Sequence, residues 1–287
     1  MPSLIDLRRR IRTVKNTQQI TKAMKVVSAA KLRRAQDRVL AARPYAQIIR
    51  RMLANVAQAA AEHQGDEGIE LLAKRPERRI QLLVITADRG LAGAFNSNVI
   101  KTAHKFIQDH PDADVQLELI GRKGRDFFRK RHRSITGDYS TLFQRAVRYE
   151  DALDIARKVT ERFRQAEIDA VYLVVNNFKS MMASRLVVTR VLPVELPEKQ
   201  EQTDYIYEQP AAQLLASLLP RYIESQIYRA MLESSAAEHA ARMTAMEAAT
   251  SNAAEVIDTL TLNMNRVRQA SITREIIEIV SGAAALE

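Results

Sequence analysis

The sequence predicts an α/β protein: a long antiparallel coiled coil of N- and C-terminal helices flanking a Rossmann-like domain with a mostly parallel sheet. Three observations predict it. The 61 residues from Arg221 to Ser281 contain neither glycine nor proline, the two residues that helix interiors exclude at about 1 and 3 kcal/mol. Seven of the eight glycines lie between Gly65 and Gly137, so turns belong to the middle of the chain. There, apolar runs alternate with helical patterns, as βαβ units require. The boundaries read as 1–60 for the first coiled-coil helix, 75–205 for the α/β domain and 210–287 for the last helix.

The first helix is expected to start at Ser3, an N-cap with Asp6 in the first turn. Leu4, Leu7, Ile11 and Val14 repeat at coiled-coil spacing. From there the seam reads as drifting through Ile20, Met24 and Val27 into Ala-rich turns near Ala60, with a kink at Pro44. In the central region, Arg79 to Thr86 reads as a buried strand, followed by a turn at Ala87-Asp88-Arg89-Gly90 and a helix from Ala94 to Gln108. Val115 to Ile120 is a second strand, with Gly121 and Gly124 in the turn leading to Phe127 and Phe128. A helix from Tyr149 to Gln165 precedes strands over Ala170–Val175 and Arg185–Val194.

The last helix would reach roughly 90 Å at about 1.5 Å per residue, too long to bury itself in this chain. Its seam is Ala253, Ile257, Leu260, Met264 and Val267, then Ile276, Ile279 and Ala283. Two seamed helices from opposite ends pair most simply with each other, and the excess surface calls for another molecule.

Charge is unevenly placed. Residues 1–60 hold fourteen Lys or Arg against Asp6 and Asp37, net +12, while the remainder sums to −2. The first helix therefore asks for an acidic partner, nucleic acid being one candidate. Its only aromatic is Tyr45, so the interleaved rings that stack on bases are missing.

The absence of cysteine excludes disulfides, thiolate nucleophiles and cysteine-ligated metals. Uncharged apolar runs are as short as Leu82 to Ile85, so no bilayer-spanning segment is expected. The basic N-terminus is amphipathic like a transit peptide, but its helical pattern continues past Pro44 and reads as mature protein.

Catalytic patterns are absent. Gly90 and Gly93 do not complete G-x-G-x-x-G, and Asp88 would repel a phosphate. Gly121-Arg122-Lys123-Gly124 lacks P-loop spacing. The five histidines form no metal pattern, and no nucleophile elbow is present. Glu275 and Glu278 lie three apart on one helix face, where carboxylates more often meet a partner's Arg or Lys than do catalysis. No catalytic, cofactor-binding or metal residue is assigned. A nucleotide-dependent enzyme on the α/β domain and a nucleic-acid-binding coiled coil remain the alternatives.

Several segments carry a resemblance. Ile11-Arg12-Thr13-Val14-Lys15-Asn16-Thr17-Gln18-Gln19-Ile20-Thr21-Lys22-Ala23-Met24-Lys25, continuing to Lys31, closely resembles the start of the gamma subunit of F-type ATP synthases. So do Thr86-Ala87-Asp88-Arg89-Gly90-Leu91-Ala92-Gly93-Ala94-Phe95-Asn96, the stretch Ser235 to Ser251 around Ala241-Arg242-Met243, and the closing Ile272 to Ala284. Ala92 departs from the family, where many relatives carry Cys, and the cysteine-bearing insert of the chloroplast form is absent.

The resemblance implies a bacterial-type central rotor shaft, non-catalytic itself, inside a proton-translocating ATP synthase complex. It would couple ion flow through the c-ring to ATP synthesis or hydrolysis at the alpha and beta subunits. It implies partners in the alpha and beta subunits of the catalytic head, the epsilon subunit and the c-ring, and none in nucleic acid. It implies no cofactor. The chain would be a peripheral protein on the cytoplasmic face of the inner membrane, held there only through the complex. Carried over by residue, Met24, Lys25, Arg242, Arg268, Gln269, Thr273, Glu275 and Glu278 would contact the head, and Tyr205, Tyr207 and Glu208 would form the foot at the c-ring.

Overall fold

A computed structural model describes residues 3–63, 70–131, 134–178, 184–196 and 208–284. The chain divides into two units, one of Met1–Ala29 with Arg242–Glu287 and one of Ala30–Ala241. Each of the two long helices, α1 (Leu4–His63) and α5 (Ala211–Ala284), contributes to both.

α1 starts as its sequence dictates. The Ser3 hydroxyl oxygen accepts from Asp6 N at 3.2 Å and donates to Asp6 Oδ2 at 2.8 Å, which caps the first turn. Inward positions then recur at alternating spacings of four and three: Leu7, Ile11, Val14, Gln18, Thr21, Lys25, Ser28, Leu32, Ala35, Val39. This corrects the expected drift of the seam. Ile20 and Val27 are 60% and 55% exposed, and polar Gln18, Thr21 and Ser28 hold the inward places instead. Periodicity outranks hydrophobicity here, because one helix face cannot change sides without breaking its geometry.

α5 begins at Ala211, within one residue of the expected boundary at 210, and runs unbroken through Pro220. Leu215, Leu219, Ile223 and Ile227 are completely buried around that proline. At about 1.5–3 kcal/mol for each buried aliphatic side chain, they outweigh the roughly 3 kcal/mol that an interior proline costs. Pro44 likewise lies inside an unbroken α1.

The second unit holds a five-stranded sheet of order β3-β2-β1-β4-β5. Its strands are β1 (Arg79–Ile85), β2 (Asp114–Ile120), β3 (Ile135–Tyr139), β4 (Ala170–Phe178) and β5 (Ser184–Leu192). All neighbours pair in parallel except β4 with β5. β1 is buried on both faces from Ile80 to Ile85, which is why it reads as a continuous apolar run rather than an alternation. α2 (Phe95–Asp109) seats Val99, Ala103 and Phe106 against Leu82, Val84, Leu117 and Val174. α4 (Tyr149–Arg164) buries Ile155, Val159 and Phe163.

Two elements escape the sequence pattern. α3 (Arg122–Phe128) stands where only a turn is expected. Its glycines fit around Thr86: a Cβ on Gly121 would lie 2.0 Å from Thr86 O, and Gly124 N donates to Thr86 Oγ1 at 2.9 Å. β3 contains Gly137 and Asp138, both poor strand formers. The glycine is required because a Cβ there would sit 2.1 Å from Glu118 Oε1. Glu118 is fully buried and accepts from Lys158 Nζ at 2.9 Å, and Lys158 also donates to Thr136 O at 2.8 Å. Burial, then the nearby Glu118 carboxylate, pushes the Tyr139 hydroxyl far above its usual pKa.

Candidate interaction surface

Within the first unit, α1 and α5 meet through a seam that is partly polar. Thr21 Oγ1 lies 2.8 Å from Thr250 Oγ1, and Gln18 Nε2 donates to Thr250 O at 3.5 Å. Each hydroxyl also faces a carbonyl of its own helix, Thr250 reaching Met246 O at 2.7 Å and Thr21 reaching Gln18 O at 3.0 Å, so either can be the donor across the seam. Lys25 Nζ closes the group with an ion pair to Glu247 Oε2 at 2.6 Å. With side chains 37% and 60% exposed, that pair is worth at most about 1 kcal/mol. It fixes register more than it adds stability.

On the α5 side, Met246 and Ala253 are buried, and Ile257, Leu260, Met264 and Val267 are half-buried, as their spacing predicts. The expected continuation fails beyond them. Ile276 and Ile279 are 55% and 71% exposed, joined by Ile272, Ile277 and Val280, while the Ala283 side chain lies outside the described residues. The cause is register. The Thr21–Thr250 and Lys25–Glu247 pairs set Leu4, the first residue of α1, level with about Val267. α5 runs on to Ala284 with no α1 beside it, roughly 25 Å of helix at ~1.5 Å per residue. Ile272, Ile276 and Ile279 keep the four-then-three spacing of a seam and have nothing in this unit to pack on. An exposed apolar stripe of this kind marks an interaction site.

The residues singled out in the sequence are distributed over this surface. Met24 and Lys25 are half-buried at the seam. Arg242 is half-buried and engaged in an interaction. Arg268 and Gln269 are exposed, and Gln269 O accepts from Thr273 Oγ1 at 2.9 Å. Glu275 accepts from Ser271 Oγ at 3.3 Å, and Glu278 is exposed on the last turns. The structure therefore gathers Arg268, Gln269, Thr273, Glu275 and Glu278 on the overhanging end of α5 and leaves Met24, Lys25 and Arg242 at the seam. Glu208 is exposed just before α5, whereas Tyr205 and Tyr207 lie outside the described residues. Hydrophobicity gave no hint of Gln18, Thr21, Glu247 and Thr250. Strict extension of the Leu7, Ile11, Val14 spacing does reach Gln18 and Thr21.

On the solvent side, Arg8, Arg12, Lys15 and Lys22 are all exposed, at spacings that set them on one face of α1. Asp6 is paired locally with Arg9 at 2.9 Å. The face is cationic and suits an acidic partner.

The α/β domain offers little chemistry at its glycine turn. Asp88 is buried and accepts from Arg122 N at 2.9 Å, so it holds α3 in place. Burial pushes its carboxyl upward, and backbone donors, Arg122 first, pull it back in part. Asn96 pins the same turn, accepting from Ala87 N at 2.8 Å. Among the described residues no group of His, Asp and Glu could hold a metal ion, and no helix is long and apolar enough to cross a membrane.

Comparison with known proteins follows the same lines. A family model described as "ATP synthase" matches residues 3–286. The "ATP synthase gamma chain" of Solibacter usitatus is 63% identical over 287 residues, all of both chains. That of Pelotomaculum thermopropionicum is 51% identical over 290 residues, again all of both. Among solved structures, a chain of the Tetrahymena thermophila mitochondrial ATP synthase central stalk and c-ring superposes with TM-score 0.62 at 25% identity, covering 80% of this chain and 99% of that one. A chain of the Euglena gracilis mitochondrial enzyme superposes with TM-score 0.66 at 18% identity, covering 99% and 94%.

Proposed function

The chain belongs to the ATP synthase gamma family, and on that premise we propose that it is the rotor shaft coupling ion flow through a c-ring to ATP synthesis or hydrolysis at alpha and beta subunits. The observation that carries this reading is the overhanging end of α5. It exposes Ile272, Ile276 and Ile279 at seam spacing beside Arg268, Gln269, Thr273, Glu275 and Glu278, and it has no use within its own unit. An apolar stripe edged with polar side chains is what a helix needs to turn inside a protein sleeve. The cationic face of α1, with Met24, Lys25 and Arg242, supplies a second contact zone for acidic segments of the beta subunits.

The mechanism follows from linkage. A two-helix shaft has no threefold symmetry, so three surrounding catalytic subunits meet three different faces of it. Each angular position then favours a different open or closed state, and by reciprocity nucleotide-driven closure pushes the shaft toward the next position. The chain contributes no catalytic group to that cycle. Tyr205, Tyr207 and Glu208 are assigned to the foot that meets the c-ring, with the epsilon subunit beside it. Membrane association then comes only through the complex, on the cytoplasmic face.

Reconstitution tests the reading. The purified full chain is expected to show no ATPase activity, and to restore hydrolysis when mixed with separated alpha and beta subunits. Failure to restore it, or hydrolysis by the chain alone, overturns the proposal.

A further inference from the structure

Two neighbouring cavities in the second unit have a lining that the shaft role does not require. The larger, of about 470 Å3, lies among Tyr45, Tyr149 and Tyr228, with Arg38 and Arg229 at its wall. The smaller, of about 210 Å3, carries Lys31, Arg34, Arg38 and Arg145. Arg38 lines both. No carboxylate lines either one among the described residues.

Three of the carboxylates nearby are already committed, and Asp37, between Arg34 and Arg38 on α1, is exposed and lines neither cavity. Arg145 pairs with Asp151 at 2.6 Å and Arg229 with Glu233 at 3.0 Å. Glu224 accepts from the Tyr149 hydroxyl at 2.6 Å. Lys31, Arg34 and Arg38 have no such partner among the described residues and sit at i, i+3 and i+7, one face of α1. Three uncompensated cations thus converge on the small cavity. The large cavity is walled by aromatic rings, Tyr149 and Tyr228 standing edge to face at 5.5 Å, and its volume falls in the usual small-molecule range of about 300–1,000 Å3.

We infer that the pair of cavities binds a nucleoside polyphosphate, its base among Tyr45, Tyr149 and Tyr228 and its phosphates on Lys31, Arg34 and Arg38. Arginine at the junction suits both halves, because its planar guanidinium stacks on rings and forks onto phosphate oxygens. A ligand that is only anionic leaves the tyrosine chamber unfilled, and one that is only aromatic leaves the cations unmatched. This site owes nothing to the glycine turn after β1. It recognises charge and ring through side chains, whereas a glycine-rich loop does so through backbone.

The chain has no tryptophan, so its intrinsic emission is tyrosine emission, and three of its eight tyrosines line the larger cavity. The test titrates the purified full chain with ADP, inorganic pyrophosphate, adenosine and poly-glutamate, following that emission and equilibrium dialysis. ADP is expected to bind at least tenfold more tightly than pyrophosphate or adenosine. Arg38→Ala and Tyr45→Leu should each weaken ADP at least tenfold, with circular dichroism unchanged. Arg51→Ala, the same charge change on an exposed α1 position outside both cavities, should stay within twofold. Equal affinity for pyrophosphate and ADP, equal loss in Arg51→Ala, displacement by poly-glutamate at comparable concentration, or no ADP binding at millimolar concentration would each overturn the inference. Should Arg38→Ala unfold, Tyr45→Leu decides alone.

Discussion

Single residues show most directly how tightly this fold is specified. Gly121 sits at φ 98°, where a side chain is strained, and a Cβ would press into Thr86 O at 2.0 Å. Gly121→Ala therefore combines left-handed strain of about 1–3 kcal/mol with a backbone clash that only a shift of α3 relieves. A loss of about 3 kcal/mol or more is expected in denaturant unfolding of the full chain; an unchanged midpoint would show that the Thr86 junction is loose. Glu233 is a different case. Burial pushes its carboxyl up, while Arg229 and Arg43 pull it back only in part. Its folded pKa thus lies above its unfolded value near 4.5. The stability it contributes is fully present below 4.5 and is lost as pH rises through the folded pKa. Glu233→Gln has no such loss, so its melting temperature relative to the native chain should climb from pH 4.5 to pH 7. A difference that is flat or falls over that window would mean that the Arg229 pair, not burial, dominates.

At the scale of elements, legibility depends on how many faces an element buries. β1, β2, β4, α2 and α4 were readable because their apolar runs follow from two-sided or one-sided burial. β3 was not, since Gly137 and Asp138 carry no strand signal and the requirement for glycine comes from a buried Glu118–Lys158 pair distant in sequence. α5 starts where the boundary at 210 puts it, and it passes through Pro220 because Leu215, Leu219, Ile223 and Ile227 are buried around that proline. The surface was half-readable. The family resemblance picked out Arg268, Gln269, Thr273, Glu275 and Glu278, but that α5 outruns α1 there depends on register, which no single helix encodes. Register is held by Thr21 and Thr250, and a double-mutant cycle measures that. Thr21→Val and Thr250→Val should couple by about 0.5–1 kcal/mol in unfolding of the full chain, because either change alone removes the cross-seam bond and the second then costs little more. Strict additivity would show that the hydroxyl pair is incidental.

The two units differ in how much of their stability is their own. In the second, the sheet and its helices bury dozens of apolar side chains, among them Leu82, Leu117, Phe128, Ile155 and Phe163. In the first, the buried apolar residues among those described are Leu7, Met246 and Ala253, with Thr21 and Ser28 filling seam positions that aliphatic residues would otherwise take. Local stability follows buried apolar area, so amides of residues 5–27 and 245–284 should exchange with solvent far faster than those of β1, β2 and β4 in the free chain. A seam this thin suits a helix pair that is completed by a surrounding protein. Binding to such a sleeve stabilises only the state that fits it, by mass action. Assembly with alpha and beta subunits should therefore slow exchange at residues 5–27 and 245–284 at least tenfold and leave the strands of the sheet nearly unchanged. The overhang from Ile272 to Val280 should gain most, since it has the largest apolar exposure to lose. Equal slowing across both units would point to general stabilisation of the chain, and no slowing at the overhang would remove the observation on which the shaft reading rests.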